Sequence, residues 1–372
     1  MLAAHVYTFP MAAPDDVAPL RALFEGGSLR PDEVVAIIAK TEGNGRVNDF
    51  TRQYAVESFA RCLADAMGRS IEDIRGRVAL VGSGGCEGVM TPHAVVLARR
   101  RVTSGRDPGE KRLAIGIGFT RDLLPEEIGT LAQVDAVAAA VREATASAGI
   151  AGRDDVKYVQ VKCPLLTSER INAARERGRP VKTANTLASL GFSNGASALG
   201  VAIGLGELPR DEIREADICT REDLFSRYAS SSAGVELMHC EIVVLGNAQG
   251  WASPYHAGHS MLRDLIDADG VRAALRDAGL RFACCPDPEQ LRRVRAIFAK
   301  GTVPLDGRVR GRRTTLLTDS DLNTRPARAV LNAVIASVVG DPAVYVSAGW
   351  GYHQGPVGGG LISAIVRVAE QE

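Results

Sequence analysis

Three stretches of the chain run apolar and strand-like and stop on a lysine: VVAIIAK (Val34–Lys40), VKYVQVK (Val156–Lys162) and VRAIFAK (Val294–Lys300). β-Branched residues dominate them and turn residues follow, which predicts strands. A small-residue stretch with helical character follows each one, over Arg52–Gly68, Ser197–Gly206 and Arg328–Val339. Next comes a Ser-small-Gly triplet: Ser83-Gly84-Gly85, Ser232-Ala233-Gly234 and Ser347-Ala348-Gly349. The first and third triplets follow apolar runs, RVALVG and PAVYV, whereas the second follows SRYASS. A further apolar run comes after each triplet: RLAIGIGF, EIVVLGNA and LISAIVRV. Ahead of the lysine strands, DVAPLRALFEGG, TLAQVDAVAAAVREATASAG and MLRDLIDADGVRAALRDAG carry apolar residues at three- and four-residue spacing and end at glycine. That period predicts amphipathic helices.

The order helix, Lys-ended strand, helix, Ser-Gly turn, strand therefore occurs three times. It predicts an α/β fold of three similar repeats, with pseudo-three-fold symmetry around one central active site. The units are placed at 1–104, 111–249 and 256–372, because Gly, Pro, Ser and charge collect at Arg101–Lys111 and Asn247–Gly258.

Composition narrows the function classes. With 46% hydrophobic residues in a chain of 372, a large core is expected. Lys plus Arg and Asp plus Glu are 44 each, and aromatic content is 5%. That balance argues against a nucleic-acid or membrane partner. The seven cysteines are scattered without C-x-x-C spacing, which signals neither zinc nor a disulfide framework and fits a reducing cytoplasm. The N-terminus lacks the basic and apolar regions of a signal peptide, and stretches such as Ala329–Val339 are too short to span a bilayer. The glycines at Gly82–Gly85 and Gly200–Gly206 match neither dinucleotide nor Walker patterns, which counts against a nucleotide-dependent oxidoreductase.

The recurring pairs Lys40/Ser83, Lys162/Ser232 and Lys300/Ser347 point to chemistry. A strand-ending lysine on its own is explained by solubility, but three matched pairs are not. Serine is a weak nucleophile until a base takes its proton, and a lysine in a closed apolar pocket becomes such a base. The small residues Gly84, Ala233 and Ala348 let backbone N–H groups approach a substrate oxygen. Three such units around one axis suit a planar ring bearing three carbonyls, with Arg52 and Arg325 as supplementary donors. Cys86 and Cys163 adjoin the triplet and lysine motifs and are read as packing residues. Glu87 and Glu236 are expected to anchor the Ser-Gly turns by accepting backbone N–H bonds.

Several longer motifs resemble the cyanuric acid hydrolase and barbiturase family. They include Lys40-Thr41-Glu42-Gly43-Asn44-Gly45 with Val47–Arg52, Ser83–Val89, Leu124–Gly129 and Val161–Thr167. Gly195–Gly200, Ser232–Leu237, Asp319-Ser320-Asp321 and His353-Gln354-Gly355-Pro356 complete the series, in order, from near residue 6 to near residue 368. The resemblance implies ring-opening hydrolysis of a cyclic amide by a Ser-Lys dyad, with Lys162 as base and Ser232 as nucleophile. Lys40, Ser83, Lys300 and Ser347 would then hold the ring, and the assembly would be a homotetramer. Where family members acting on cyanuric acid carry an arginine, this chain has Asn194, so barbituric acid is the expected substrate and cyanuric acid the alternative. Thr302 replaces a glutamate that holds a structural Mg²⁺ or Ca²⁺ in the family. With Gln354 the remaining side-chain ligand, weak metal binding or none is expected, and no cofactor is required. The departures at Asn194 and Thr302 also motivate a reading of another class, a non-catalytic ligand-binding or assembly homologue.

Overall fold

The computed structural model describes residues 1–102, 109–315, 324–349 and 352–369. The Asp319–Asp321 motif, Trp350-Gly351 and most of the first interunit linker lie outside these. The first stretch forms β1 (Leu2–Pro10), α1 (Ala18–Glu25), β2 (Val34–Thr41), α2 (Phe50–Met67), α3 (Ile71–Arg75), β3 (Ala79–Gly84) and β4 (His93–Arg101). The second forms β5 (Arg112–Phe119), α4 (Leu131–Ser147), β6 (Val156–Pro164), α5 (Ser168–Glu176), α6 (Thr186–Gly204), β7 (Ala229–Gly234) and β8 (Glu241–Ala248). The third forms β9 (Tyr255–Leu262), α7 (Ala268–Asp277), α8 (Pro288–Leu291), β10 (Val294–Thr302), the short β11 (Arg308–Val309) and β12 (Arg312–Arg313), α9 (Thr324–Val339), β13 (Tyr345–Gly349) and β14 (Gly360–Arg367).

These strands make three four-stranded sheets of one connectivity: β1-β4-β2-β3, β5-β8-β6-β7 and β9-β14-β10-β13. In each, the lysine strand runs parallel to the serine strand on one side and antiparallel to the closing strand on the other. Side chains alternate across a strand. Ala36, Ile38 and Lys40 therefore share one face of β2, Tyr158, Gln160 and Lys162 one face of β6, and Ala296, Phe298 and Lys300 one face of β10. The apolar members of these rows meet in a single buried cluster drawn from all three sheets. Tyr158 stacks on Phe298 with ring centroids 5.0 Å apart, and Phe298 lies 6.0 Å from Tyr345. The opposite faces pack on helices: Ile37 and Ala39 join Phe59 and Leu63 of α2, and Ile297 and Ala299 join Leu331 of α9 and Val271 of α7. Each lysine thus ends a row that points at the other sheets rather than at its own helices.

The helix ends follow local capping chemistry, and this moves several boundaries. Asp49 accepts from Thr51 N and starts α2 two residues before the expected Arg52, while Gly68 closes it at φ 63°. Asn185 accepts from Ala188 N, so α6 begins eleven residues before the expected Ser197 and carries Asn194 inside it. The run from Met261 divides: Met261 and Leu262 end β9, and Asp267 caps α7 by accepting from Gly270 N. RLAIGIGF does not close the first sheet. It opens the second as β5, and His93–Arg101 takes the closing place as β4. By length and composition α6 is apolar enough to cross a membrane, but 61% of it is buried inside the protein, where it packs on α4 and β7.

The approach of α4 and α6 rests on glycine. A Cβ at Gly200 would stand 2.7 Å from the Val134 carbonyl oxygen of α4, and one at Gly204 2.9 Å from that of Ala138. Gly200→Ala forces α4 and α6 apart and is expected to lower stability by about 1–3 kcal/mol. Urea unfolding of the variant against the parent checks this.

Candidate active site

Strand register sets each lysine beside a serine. Lys40 lies opposite Ser83, Lys162 opposite Ser232 and Lys300 opposite Ser347, each across a parallel strand pair. The serines sit within strands rather than in the turns the triplets suggested. Lys40 Nζ donates to Ser83 Oγ at 3.3 Å and to Gly84 O at 2.9 Å. Lys300 Nζ donates to Ser347 Oγ at 3.0 Å and to Ser231 O at 3.4 Å. Lys162 Nζ instead donates to Gly82 O at 2.7 Å and pairs with Glu236 Oε1 at 2.6 Å.

The reach between sheets is cyclic. Lys162 of the second sheet meets Gly82 of the first, and Lys300 of the third meets Ser231 of the second. Lys40 of the first stands 5.8 Å from the ring centroid of Tyr345 in the third. In each case the contact falls one or two residues before the receiving sheet's serine.

Around these pairs lies a cavity of about 510 Å³, within the usual range for a small-molecule site. Ser83, Ser232 and Ser347 line it, with Gly84, Ala233, Ala348, Lys40, Lys300, Arg52 and Asn194. Lys162 has no exposed surface and is not among the lining residues. Arg52 reaches from α2 to the second sheet, donating to Ala233 O at 3.3 Å, and also to Arg46 O at 2.8 Å. Arg328 rather than Arg325 lines the cavity from α9. The Arg325 side chain is 37% exposed, with its Nε 3.9 Å from Glu87. Two arginines three residues apart share a helix face one turn apart, and motif matching does not tell which turn of α9 borders the cavity.

Both glutamates hold cationic side chains. Glu87 receives Arg328 in a fork, Nε to Oε2 at 2.7 Å and a terminal nitrogen to Oε1 at 2.6 Å. Glu236 holds Lys162. No local signal pairs Glu236 with Lys162, which is 74 residues away in sequence (236 − 162). Tyr352 also lines the cavity.

Burial sets the proton affinities. It lowers Lys40 to about 7, helped by the Arg328 charge, and lowers Lys300 to about 7 with the same help. Burial lowers Lys162 too, against the pull of Glu236. For Glu236, burial acts upward, but Lys162 and Arg52 outweigh it and hold the carboxyl below its ordinary value. Burial pushes the Cys86 thiol up to about 11 and raises Cys163 as well, so both are protonated near neutrality, as suits packing residues.

The residues at the family's metal position are a poor match for a hard divalent cation. Thr302 Oγ1 donates to Pro356 O at 2.8 Å, and Gln354 Oε1 already accepts from Ser231 N at 2.6 Å. Among the described residues no cluster of His, Cys, Asp or Glu that could hold a metal ion is present. Oxygen ligands that neither carry charge nor stand free hold Mg²⁺ or Ca²⁺ weakly.

Comparison with known proteins finds relatives along nearly the whole chain. A family model described as amidohydrolase ring-opening protein matches residues 5–367. A cyanuric acid amidohydrolase of Enterobacter cloacae is 48% identical over 373 residues, covering 98% of this chain and all of the relative. A cyclic amide hydrolase of Azorhizobium caulinodans is 50% identical over 363 residues, covering 97% of this chain and 99% of the relative. A solved cyanuric acid hydrolase, described as an evolutionary innovation by structural concatenation, superposes with a TM-score of 0.94 at 44% identity, over 99% of this chain and 100% of that one. The cyanuric acid hydrolase structure from A. caulinodans gives 0.90 at 43% identity, with both chains fully covered. With the family match running almost from end to end, the chain belongs to the amidohydrolase ring-opening family.

Proposed function

We propose that this chain hydrolyses one ring amide bond of cyanuric acid. The observation that carries the reading is the set of three register-matched Lys/Ser pairs around one cavity. On this reading three units, 1–104, 111–249 and 256–372, surround the site with pseudo-three-fold symmetry. The shared sheet connectivity and the cyclic lysine contacts support it. Cyanuric acid takes precedence over the barbituric acid that Asn194 suggested, because the similar relatives bear the name cyanuric acid hydrolase. Asn194 gives a physical reason as well. Its Oδ1 faces the Cys163 thiol at 3.6 Å, which leaves the amide N–H group as a donor for a third ring carbonyl.

Ser232 attacks a ring carbonyl carbon as Lys162 takes the hydroxyl proton. The C–N bond breaks, the proton passes to the departing nitrogen, and water then cleaves the ester to a linear carboxylated product. Backbone N–H groups at the strand ends hold the oxyanion. Arg52 and Arg328 bind ring oxygens, and the pairs Lys40/Ser83 and Lys300/Ser347 seat the remaining carbonyls. What singles out Lys162 is its carboxylate. Glu236 orients the amine and stabilises the ammonium formed on proton transfer, as the third member of a triad does. No metal takes part. The reading places the protein in the cytoplasm, in keeping with seven unpaired thiols, and carries the homotetramer of the resemblance, which light scattering tests. Retention of the pocket without turnover is the competing outcome.

Ser232→Ala is expected to lower kcat on cyanuric acid by at least about a thousandfold with the fold retained. Loss of ring absorbance, followed with cyanuric and barbituric acid in parallel and with chelator present, measures it. Lys162→Met alone leaves Glu236 buried and unpaired, which costs about 3–5 kcal/mol, so the lysine is tested in Lys162→Met with Glu236→Gln.

The lowered lysines also predict a pH dependence of stability. From about 7, the value of folded Lys40, up to the ordinary lysine range, the unfolded chain holds a proton there that the folded chain lacks. Stability therefore rises with pH across that window, by up to about 1.4 kcal/mol per pH unit for each such lysine. Lys40→Met is expected to flatten the rise, measured by urea unfolding at several pH values between about 7 and 9.

A further inference from the structure

A second, smaller cavity borders Glu236, which does not line the substrate site. It measures about 90 Å³ and sits at the seam between the first and second sheets. Glu236, His239 and Glu241, from the connection of β7 to β8 and the start of β8, face Arg75 and Leu80 of the first sheet's unit across it. A water molecule occupies roughly 30 Å³ of liquid, so two or three fit.

The polar atoms on this wall ask for such water. Apart from the Lys162 contact, neither carboxylate oxygen of Glu236 has a side-chain donor within hydrogen-bond distance among the described residues, and His239 Nε2 has only Glu241 Oε1, at 3.7 Å. Native proteins seldom leave buried polar atoms unsatisfied. From the cavity the path continues outward. The His239 side chain is 24% exposed, with Nε2 3.7 Å from Glu241 Oε1 and Nδ1 3.4 Å from Asp122 Oδ1. Asp122 is itself 81% exposed. Glu241 is fixed by accepting Leu80 N at 2.8 Å.

We propose that Glu236, water in this cavity and His239 form a proton relay that connects Lys162 to solvent without passing through the substrate pocket. The proposal rests on the reading of Lys162 as the base for Ser232. Before it can act, the Lys162 ammonium must lose a proton, while bound substrate covers the cavity on the other side. The ammonium proton moves to the Glu236 carboxylate, from its carboxyl to water, and from water to His239 Nε2. The imidazolium then releases its Nδ1 proton to solvent beside Asp122. Lys162 is left as the amine, Glu236 returns to the carboxylate, and the imidazole is left with its proton on Nε2 instead of Nδ1, a tautomer that a ring flip restores before the next turnover.

The charges around the relay suit each member. Glu236 faces Lys162 and Arg52, with the Arg170 guanidinium bonded to the neighbouring carbonyls of Val235 and Leu237. His239 faces Glu241 and Asp122, with Arg75 on the opposite wall. Glu241 raises the His239 value, burial opposes, and Asp122 adds to the rise, which leaves it above that of an ordinary imidazole. Burial raises Glu241 itself. His239 is a relay residue and does not touch the substrate.

The test compares the full-length parent with His239→Ala and His239→Gln. The relay predicts a fall in kcat on the order of tenfold or more with KM unchanged. It also predicts a changed acid limb of the pH profile and restoration of the Ala variant by added imidazole. A folded His239→Ala enzyme with the parental kcat at every pH overturns the relay and leaves the Ser232/Lys162 reading intact. So does a loss that is uniform in pH and indifferent to imidazole, which is the mark of a structural role. A second readout needs no turnover: NMR titration of His239 in the parent and in Glu236→Gln. Removing the negative charge across the cavity lowers the His239 pKa if the two communicate, and an unchanged value overturns the relay. A parent that opens neither ring overturns the proposed function, and the relay with it.

Discussion

A lysine and a serine at matched positions of neighbouring parallel strands must leave the sheet on the same side, with the strands only about 4.8 Å apart. Three sheets of one connectivity repeat that placement. Apolar residues two and four places earlier on the lysine strands, Ile38, Tyr158 and Phe298 among them, pack against one another where the sheets meet. The ammonium groups are thereby carried into a nearly dry space, where each must find oxygen. They find it on their own serine strand and on the strand of the next sheet. Packing that builds the core and desolvation that readies a base are the same event.

Near-equivalent units leave the question of how one carbonyl of a symmetric ring is chosen for attack. Lys40 and Lys300 bond directly to their serines, whereas Lys162 bonds to Glu236. A buried carboxylate beside a buried ammonium contributes little net stability, since desolvation offsets the attraction. It does fix the amine's direction and favour its charged form after proton transfer. On the proposed reading, symmetry serves binding and the single carboxylate serves chemistry.

Much of this was legible in the sequence, and the exceptions have physical causes. The lysine strands were readable nearly to the residue, because β-branched runs ending in polar turns leave little choice. The closing strand of the first sheet was not recognised because RLAIGIGF is the cleaner apolar run after the first triplet, while His93–Arg101 ends in three arginines, one of which pairs with Glu33. The first half of α6 was missed because its start depends on the Asn185 cap rather than on periodicity. Contacts between residues far apart in sequence, such as Arg52 with Ala233 and Glu236 with Lys162, have no local signature. The same holds for the choice of Arg328 over Arg325 at the cavity.

The most direct test of the central claim is to quench the enzyme during turnover of cyanuric acid and map any covalent adduct by peptide mass spectrometry. Ring opening expels no fragment, so attack by serine adds the mass of the whole substrate. The account predicts that mass on the peptide containing Ser232 and nowhere else. An adduct on Ser83 or Ser347 would contradict it.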